Sequence, residues 1–231
     1  MKIFLMLSWA DWLALLVFFG LWIGYAGFAR VRGTQDRTLI ATTNHFRSLW
    51  MEQATARDPR MLDGIITQNL SQTPAFFSST TIIIIGGLCA LLGTTDKAAE
   101  LVRDIPFAQQ TTMAVFEFKI LVLIGIFVYA FFRFSWSMRQ YTFVALVIGA
   151  MPPASEFDAG RHDRRRHAER ASHLVSAAAE TFNDGLRAYY FSFAAMGWFF
   201  SPLVLVLATA LVVLILYGRE FRSDVLRVLR D

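Results

Sequence analysis

The stretch PAFFSSTTIIIIGGLCALLG, residues 74–93, decides the fold class of this chain. It contains no Asp, Glu, Lys or Arg over its whole length. A helix needs about 20 largely apolar residues to cross the hydrocarbon core of a bilayer, which is about 30 Å thick. Residues 74–93 therefore predict a membrane-spanning helix.

Three further stretches are long and largely apolar, namely residues 3–29, 116–136 and 189–217, although the first contains Asp11 and the second contains Glu117, Lys119 and Arg133. We expect the shorter apolar stretch 141–151 to continue the third helix beyond the bilayer, until the prolines that follow it stop the helix. The chain has 231 residues, of which 55% are hydrophobic. The sequence predicts an all-α integral membrane protein, with residues 1–231 forming a single membrane domain of about four transmembrane helices and amphipathic cytoplasmic helices.

The positions of Lys and Arg predict the orientation in the membrane. Fourteen of them belong to the side that holds residues 30–73 and 138–188, when Arg133 near the end of the third span is counted with it, and eight belong to the other side. Because Lys and Arg are enriched in cytoplasmic loops, we expect these two segments in the cytoplasm and both termini outside it. The strong excess of Arg over Lys is typical of bacteria with GC-rich genomes, so a bacterial plasma membrane is the expected location.

Several classes of site are not supported by the sequence. The single cysteine, Cys89, allows no disulfide within the chain and no cysteine metal cluster. His162, His167 and His173 are spaced unlike metal ligands on one helix face, which lie three or four residues apart. No phosphate-binding loop, nucleophile motif or haem-attachment motif occurs. We expect no metal, no cofactor and no catalytic residue, and in so apolar a chain the net charge of +4 favours anionic lipid over nucleic acid as a partner.

The densest run of charge is RHDRRRHAER, residues 161–170. Arginines beside a membrane attract anionic lipid head groups. A solvated helix start that only enforces the orientation explains the run equally well. The candidates for binding lipid or another anion are Arg161, Arg164, Arg165, Arg166 and Arg170.

Other residues in or beside the spans are candidates for organising the helix bundle, because an unpaired charge in hydrocarbon is costly. Arg187 is expected to bind a carboxylate, helix-end carbonyls or a lipid phosphate, and Asp184, Glu180 or Asp63 could supply the carboxylate. Gly185 is expected to let another helix approach closely. The bundle-organising candidates are Asp11, Asn69, Arg133, Gly185, Arg187, Tyr189 and Tyr190.

The segment GLRAYYFSF, residues 185–193, followed by Trp198 and Pro202, is distinctive. It resembles the start of the last span in an uncharacterised membrane family, domain of unknown function 599 (DUF599). Residues 22–25, 69–70 and 137–141 resemble other parts of that family. The resemblance implies a helical membrane protein, and it brings no catalytic residue, ligand or mechanism.

Three functions are open on this basis. The first is a structural or accessory membrane protein that acts through helix contacts, either with itself as a homo-oligomer or with a larger membrane complex. The second is a small transporter or channel that uses Asp11, Arg133 or Arg187 within the membrane. The third is a lipid-handling membrane enzyme.

Overall fold

The computed structural model describes residues 7–32, 38–93 and 112–229. Within these ranges the chain forms helices and no strand, which confirms the all-α fold. The helices, in chain order, are α1 (Trp9–Arg32), α2 (Leu39–Thr55), α3 (Met61–Gly93), α4 (Met113–Gly149), α5 (Ala154–Asp158), α6 (Arg164–Met196), α7 (Pro202–Phe221) and α8 (Asp224–Val228).

Four segments are long and apolar enough to cross a membrane: α1, α3, α4 and Pro202–Val228. The first three overlap the predicted spans 3–29, 74–93 and 116–136. α4 has 37 residues and is therefore about 55 Å long at a rise of 1.5 Å per residue. Since the hydrocarbon core is only about 30 Å thick, one part of α4 extends beyond it.

The predicted fourth span, residues 189–217, is not one helix. α6 ends at Met196, a 3-10 turn covers Gly197–Phe199, and α7 begins at Pro202. The first part of the predicted span, residues 189–196, therefore belongs to α6. The apolar helix that follows the break starts later than the sequence predicts.

The local sequence explains this break. Pro202 lacks the N–H that a helix interior requires, and proline is favoured at the first helical position, which it occupies in α7. The Ser201 side chain accepts a hydrogen bond from Val204 N and so caps the new helix. Gly197 allows α7 to fold back closely, because a Cβ there would lie 3.1 Å from the Val204 side chain.

The bundle has two charged ends, which we name after their carboxylates. At the Asp11 end, Asp11 of α1 is bound by Trp198, just after α6. At the Asp184 end, Asp184 of α6 faces Arg30, near the end of α1. The C-terminal part of α6 therefore passes through the bundle beside α1. α7 returns to the Asp184 end, where Phe221 packs on the C-terminal part of α1.

The two ends of the described chain lie at opposite ends of the bundle. α1 begins with Trp9 at the Asp11 end, whereas α8 follows α7 at the Asp184 end and packs near α2. The expectation of both termini outside the cytoplasm would require them at one end of the bundle, and the membrane side of each terminus stays a prediction. The predicted span 189–217 joins the end of α6 to α7 as if they were one helix. The part of α6 before residue 189 is not recognised from the sequence as crossing the bundle, because Asp184 and Arg187 interrupt its apolar character.

A helical extension continues beyond the Asp184 end. It is formed by α2, the second part of α4 and the first part of α6, and α2 packs along α6. Its core consists of Met51, Tyr141, Val144, Ile148, Ala168, Ala171, Val175 and Ala178. Where the extension joins the bundle, Ser137 Oγ of α4 donates a hydrogen bond to the Ala178 carbonyl of α6 at 2.7 Å.

Candidate functional site

Asp184 on α6 is the carboxylate at which three helices meet. Arg187 Nη1, one turn later on α6, donates to Asp184 Oδ1 at 2.9 Å. Arg133 of α4 donates to Oδ2, and Arg30 Nη2 of α1 lies 3.4 Å from the same oxygen. The Asp184 side chain is only 10% exposed, whereas that of Arg30 is 72% exposed. One largely buried carboxylate thus joins α1, α4 and α6.

Gly185 and Phe134 set the distance between α6 and α4 beside this cluster. A Cβ at Gly185 would lie 2.5 Å from Phe134 Cε1, which is far below van der Waals contact. The missing side chain lets the fully buried Phe134 ring lie against the α6 backbone. This close approach brings Arg133, the preceding residue of α4, within reach of Asp184.

The neighbouring tyrosines connect α6 to two other helices. Tyr189 Oη and Thr81 Oγ1 of α3 share a hydrogen bond of 2.7 Å. Tyr190 Oη accepts a hydrogen bond from Arg219 of α7, whose guanidinium also lies 5.2 Å from the centroid of the Tyr190 ring. The two tyrosines thus link α6 to α3 and α7.

A polar cavity of about 230 Å³ lies beside the cluster, between α1, α2, α6 and α7. Arg47, Arg187 and Arg219 line it, and Glu220 is the one carboxylate among its lining residues. Burial lowers the pKa of the Arg47 guanidinium from its ordinary value. The cavity is therefore lined by more positive than negative charge.

The Asp11 end of the bundle has its own set of contacts. Trp198 Nε1 donates to Asp11 Oδ1 at 2.8 Å, and Ser8 Oγ donates to Oδ2 at 2.6 Å. Lys119 Nζ of α4 donates to the Trp198 carbonyl at 2.8 Å and lies 5.3 Å from the centroid of its ring. Asp11 and Lys119 are both buried. These contacts join α1, α4 and the turn after α6.

An apolar layer separates the two charged ends. Phe18 and Trp22 of α1 pack on Phe191 of α6, with ring centroids 5.7 and 5.2 Å apart, and the side chains of Phe18 and Phe191 are fully buried. Along α1 the two ends are about 28 Å apart at 1.5 Å per residue. The structure therefore does not bring Asp11 together with the arginines of the transporter hypothesis.

The arginine-rich run 161–170 lies at the start of α6, in the extension. Arg164 precedes Arg187 by about 35 Å along the helix at 1.5 Å per residue. Three of the five candidate arginines are paired with carboxylates, in the pairs Arg161–Glu156, Arg164–Asp158 and Arg165–Glu169. Arg166 and Arg170 are exposed. Lipid binding by this run stays a prediction, and the run lies far along α6 from the arginines of the Asp184 cluster.

Two other residues considered from the sequence lie outside the cluster. Asn69 is exposed on α3. Asp63 is buried at the start of α3, where Trp50 Nε1 of α2 donates to its Oδ1 at 2.8 Å and Arg57 Nη1 donates to the same oxygen at 2.5 Å.

Sequence reasoning missed Arg30 as a partner of Asp184, and Trp198 as the partner of Asp11. The members of these pairs are 154 and 187 residues apart in the chain. Helical spacing identifies partners within one turn, as for Asp184 and Arg187, but it carries no signal for contacts between distant helices.

In the described ranges, no group of three or more His, Cys, Asp or Glu side chains is arranged to hold a metal ion. The family model described as "Protein of unknown function, DUF599" matches residues 13–225. The chain therefore belongs to this family, as the resemblance of residues 185–193 indicates. No curated protein and no solved structure matches the chain.

Proposed function

Since membership of this family assigns no activity, we propose that the chain is a non-enzymatic structural or accessory membrane protein. It acts through helix contacts with itself or with a larger membrane complex. The main support for this proposal is that the buried ionisable side chains bind partners within the bundle. Asp11, Lys119 and Asp184 all bind other parts of the same bundle, and an apolar layer lies between the two charged ends.

This arrangement favours a structural role over transport. A transporter needs a polar path or an alternating cavity near the middle of the membrane. Here the middle of the bundle holds stacked aromatic rings, with Trp22 and Phe191 nearly parallel at 5.2 Å. Asp11 and Asp184, the buried carboxylates of the two ends, each accept hydrogen bonds from residues outside their own helix.

Outward-facing small residues support helix contacts with a partner. Gly20 and Gly24 of α1 form a small-xxx-small pattern, and Gly86 and Gly87 lie on α3. A Cβ added at any of these four positions meets nothing within 4 Å in the described chain. Small residues at a helix surface allow close approach of another helix in a membrane.

The proposed orientation places the Asp184 end and the extension in the cytoplasm of a bacterium. Among the described residues, sixteen arginines lie at or beyond the Asp184 end, and Lys119 is the one basic residue at the Asp11 end. This distribution follows the positive-inside rule more strongly than a four-span arrangement does. The proposed orientation has five membrane crossings, with the N-terminus outside and the C-terminus in the cytoplasm.

The test of function is the mass of the protein in its own membrane environment. Membranes are cut into polymer-bounded discs without detergent, and the tagged protein is purified and weighed by native mass spectrometry. We expect a defined assembly larger than the 26.2 kDa chain. A population made only of single chains contradicts the proposal.

A flux assay with proteoliposomes distinguishes the transporter hypothesis. Protons, Na⁺, K⁺ and Cl⁻ are tested with wild type, Asp11→Asn and Arg133→Gln. We expect no flux above that of empty liposomes. If wild type shows a flux and both folded variants lack it, the protein is a transporter and the accessory function is wrong.

A further inference from the structure

An apolar groove of about 660 Å³ runs between α1 and α4 and opens to the outside of the bundle. α1 packs mainly on α7, which leaves this gap beside α4. Trp22 and Tyr129 meet across the groove with their ring centroids 5.8 Å apart. Gly27 on one wall and Gly125 on the other face open space, because a Cβ added at either position would meet no atom within 4 Å.

The length of the groove matches one leaflet of a bilayer. Its α1 wall extends from Phe19 to Arg30, which is about 16 Å at 1.5 Å per residue. This is about half of the 30 Å hydrocarbon core. The groove therefore occupies the leaflet at the Asp184 end, and its lining there is suited to an extended hydrocarbon chain.

Positive charge lies at the head-group end of the groove. Arg30 lines this end, its side chain is 72% exposed, and its ion pair with Asp184 is long at 3.4 Å. Arg133, one turn after Tyr129 of the groove wall, has a buried Nε with no hydrogen-bond partner in the described chain. A second carboxylate, Glu180, lines the small adjoining cavity with Arg30.

The charge balance at this end calls for an additional anion. Three guanidinium groups, those of Arg30, Arg133 and Arg187, surround the Asp184 carboxylate. Even with Glu180 included, the positive groups outnumber the negative ones. Basic groups at the membrane surface attract anionic lipids, and a phosphate oxygen is a strong acceptor for guanidinium.

We propose that a phospholipid with a negatively charged head group occupies this site. One acyl chain lies between α1 and α4, and the phosphate binds Arg30 at the mouth of the groove. A free phosphate ion fits this site poorly, because most of the lining is apolar. The site does not depend on the proposed accessory function, since an accessory protein and a transporter are equally able to bind lipid there.

The experiment titrates delipidated protein in detergent with phosphatidylglycerol or phosphatidylcholine and counts bound lipids by native mass spectrometry. We expect one site that prefers phosphatidylglycerol. Gly125→Leu fills the groove and should weaken binding of this lipid at least about tenfold, which corresponds to about 1.4 kcal/mol. Arg30→Gln should lower the preference for phosphatidylglycerol about fivefold, the effect of one basic group at a membrane surface.

Matched variants control for general effects. Gly64→Leu adds the same side chain at another open helix position, and Arg32→Gln removes the same charge from the same helix end outside the groove. Both should bind phosphatidylglycerol as wild type does. If Gly125→Leu does not fold, Gly27→Leu fills the groove from the opposite wall.

Three results overturn the proposal. The first is equal binding of phosphatidylglycerol by wild type and both groove-filling variants. The second is an unchanged lipid preference in Arg30→Gln. The third is full displacement of the lipid by equimolar glycerol phosphate, which shows that the site recognises a soluble phosphate and not a lipid.

Discussion

Gly185 of α6 lies directly under the ring of Phe134 of α4, so that a Cβ at position 185 would be 2.5 Å from Phe134 Cε1. This contact sets the distance between two long helices beside the Asp184 cluster. We therefore expect Gly185→Ala to push the helices apart and to destabilise the protein by about 1–3 kcal/mol, the usual cost of overpacking. Thermal unfolding in detergent measures the change.

Gly86→Ala is the matched control for this prediction. An added Cβ at Gly86 meets no atom within 4 Å, and alanine favours a helix more than glycine does. This variant should be as stable as wild type or slightly more stable. Equal melting temperatures for wild type and Gly185→Ala would show that the helix contact is loose.

Asp184→Asn should be the most destabilising single substitution at the Asp184 end. It leaves Arg133 and Arg187 without their shared carboxylate, and removal of one partner of a buried ion pair costs about 3–5 kcal/mol. The control, Asp158→Asn, removes an exposed carboxylate that pairs with Arg164 and should cost at most about 1 kcal/mol. Yield of folded protein and thermal stability are compared, and similar losses in the two variants contradict the central position of Asp184.

Arg187 should be a bundle-organising residue and not a catalytic one. Arg187→Ala should lower the yield and stability of folded protein, and Arg187→Lys should restore only part of the loss, because lysine keeps the charge but not the planar guanidinium. Differential scanning fluorimetry in detergent provides the comparison. Full stability of Arg187→Ala together with loss of a specific transport activity would reassign Arg187 to a functional site.

The Asp11 end offers an independent test of packing. Trp198→Phe keeps most of the buried ring but removes the Nε1 donor to Asp11, and leaving a buried acceptor short of a partner costs about 1–3 kcal/mol. Trp136→Phe is the control, since Trp136 is 49% exposed and its change should cost less than about 0.5 kcal/mol. If Trp136→Phe loses as much stability as Trp198→Phe, the loss in Trp198→Phe does not come from its hydrogen bond to Asp11.

Much of the fold follows from the sequence because a membrane span is a local property. The uncharged stretch 74–93 and the apolar stretch 116–136 mark α3 and α4 without any tertiary information. The break near Pro202 also has a local cause, and the prolines and glycines of a sequence show where such breaks are favoured.

The local sequence pattern does not show that α6 passes through the bundle. Its sequence is polar over the long part in the extension, and Asp184 and Arg187 add charges within the bundle. These charges are tolerated because Arg133 and Arg30, from two other helices, meet the same carboxylate. Only the assembled bundle shows that Asp184 is paired from two other helices, so the sequence of α6 alone underestimates how deeply this helix is buried.

We propose that the C-terminal part of α6 forms a fifth span, so that the two termini lie on opposite sides of the membrane. Single cysteines are introduced as Trp9→Cys and Arg227→Cys in a Cys89→Ser background, at positions that are both exposed. Intact cells are treated with a membrane-impermeant maleimide, before or after permeabilisation. We expect Trp9→Cys to react in intact cells and Arg227→Cys to react only after permeabilisation. Reaction of both cysteines from the same side would contradict the proposal.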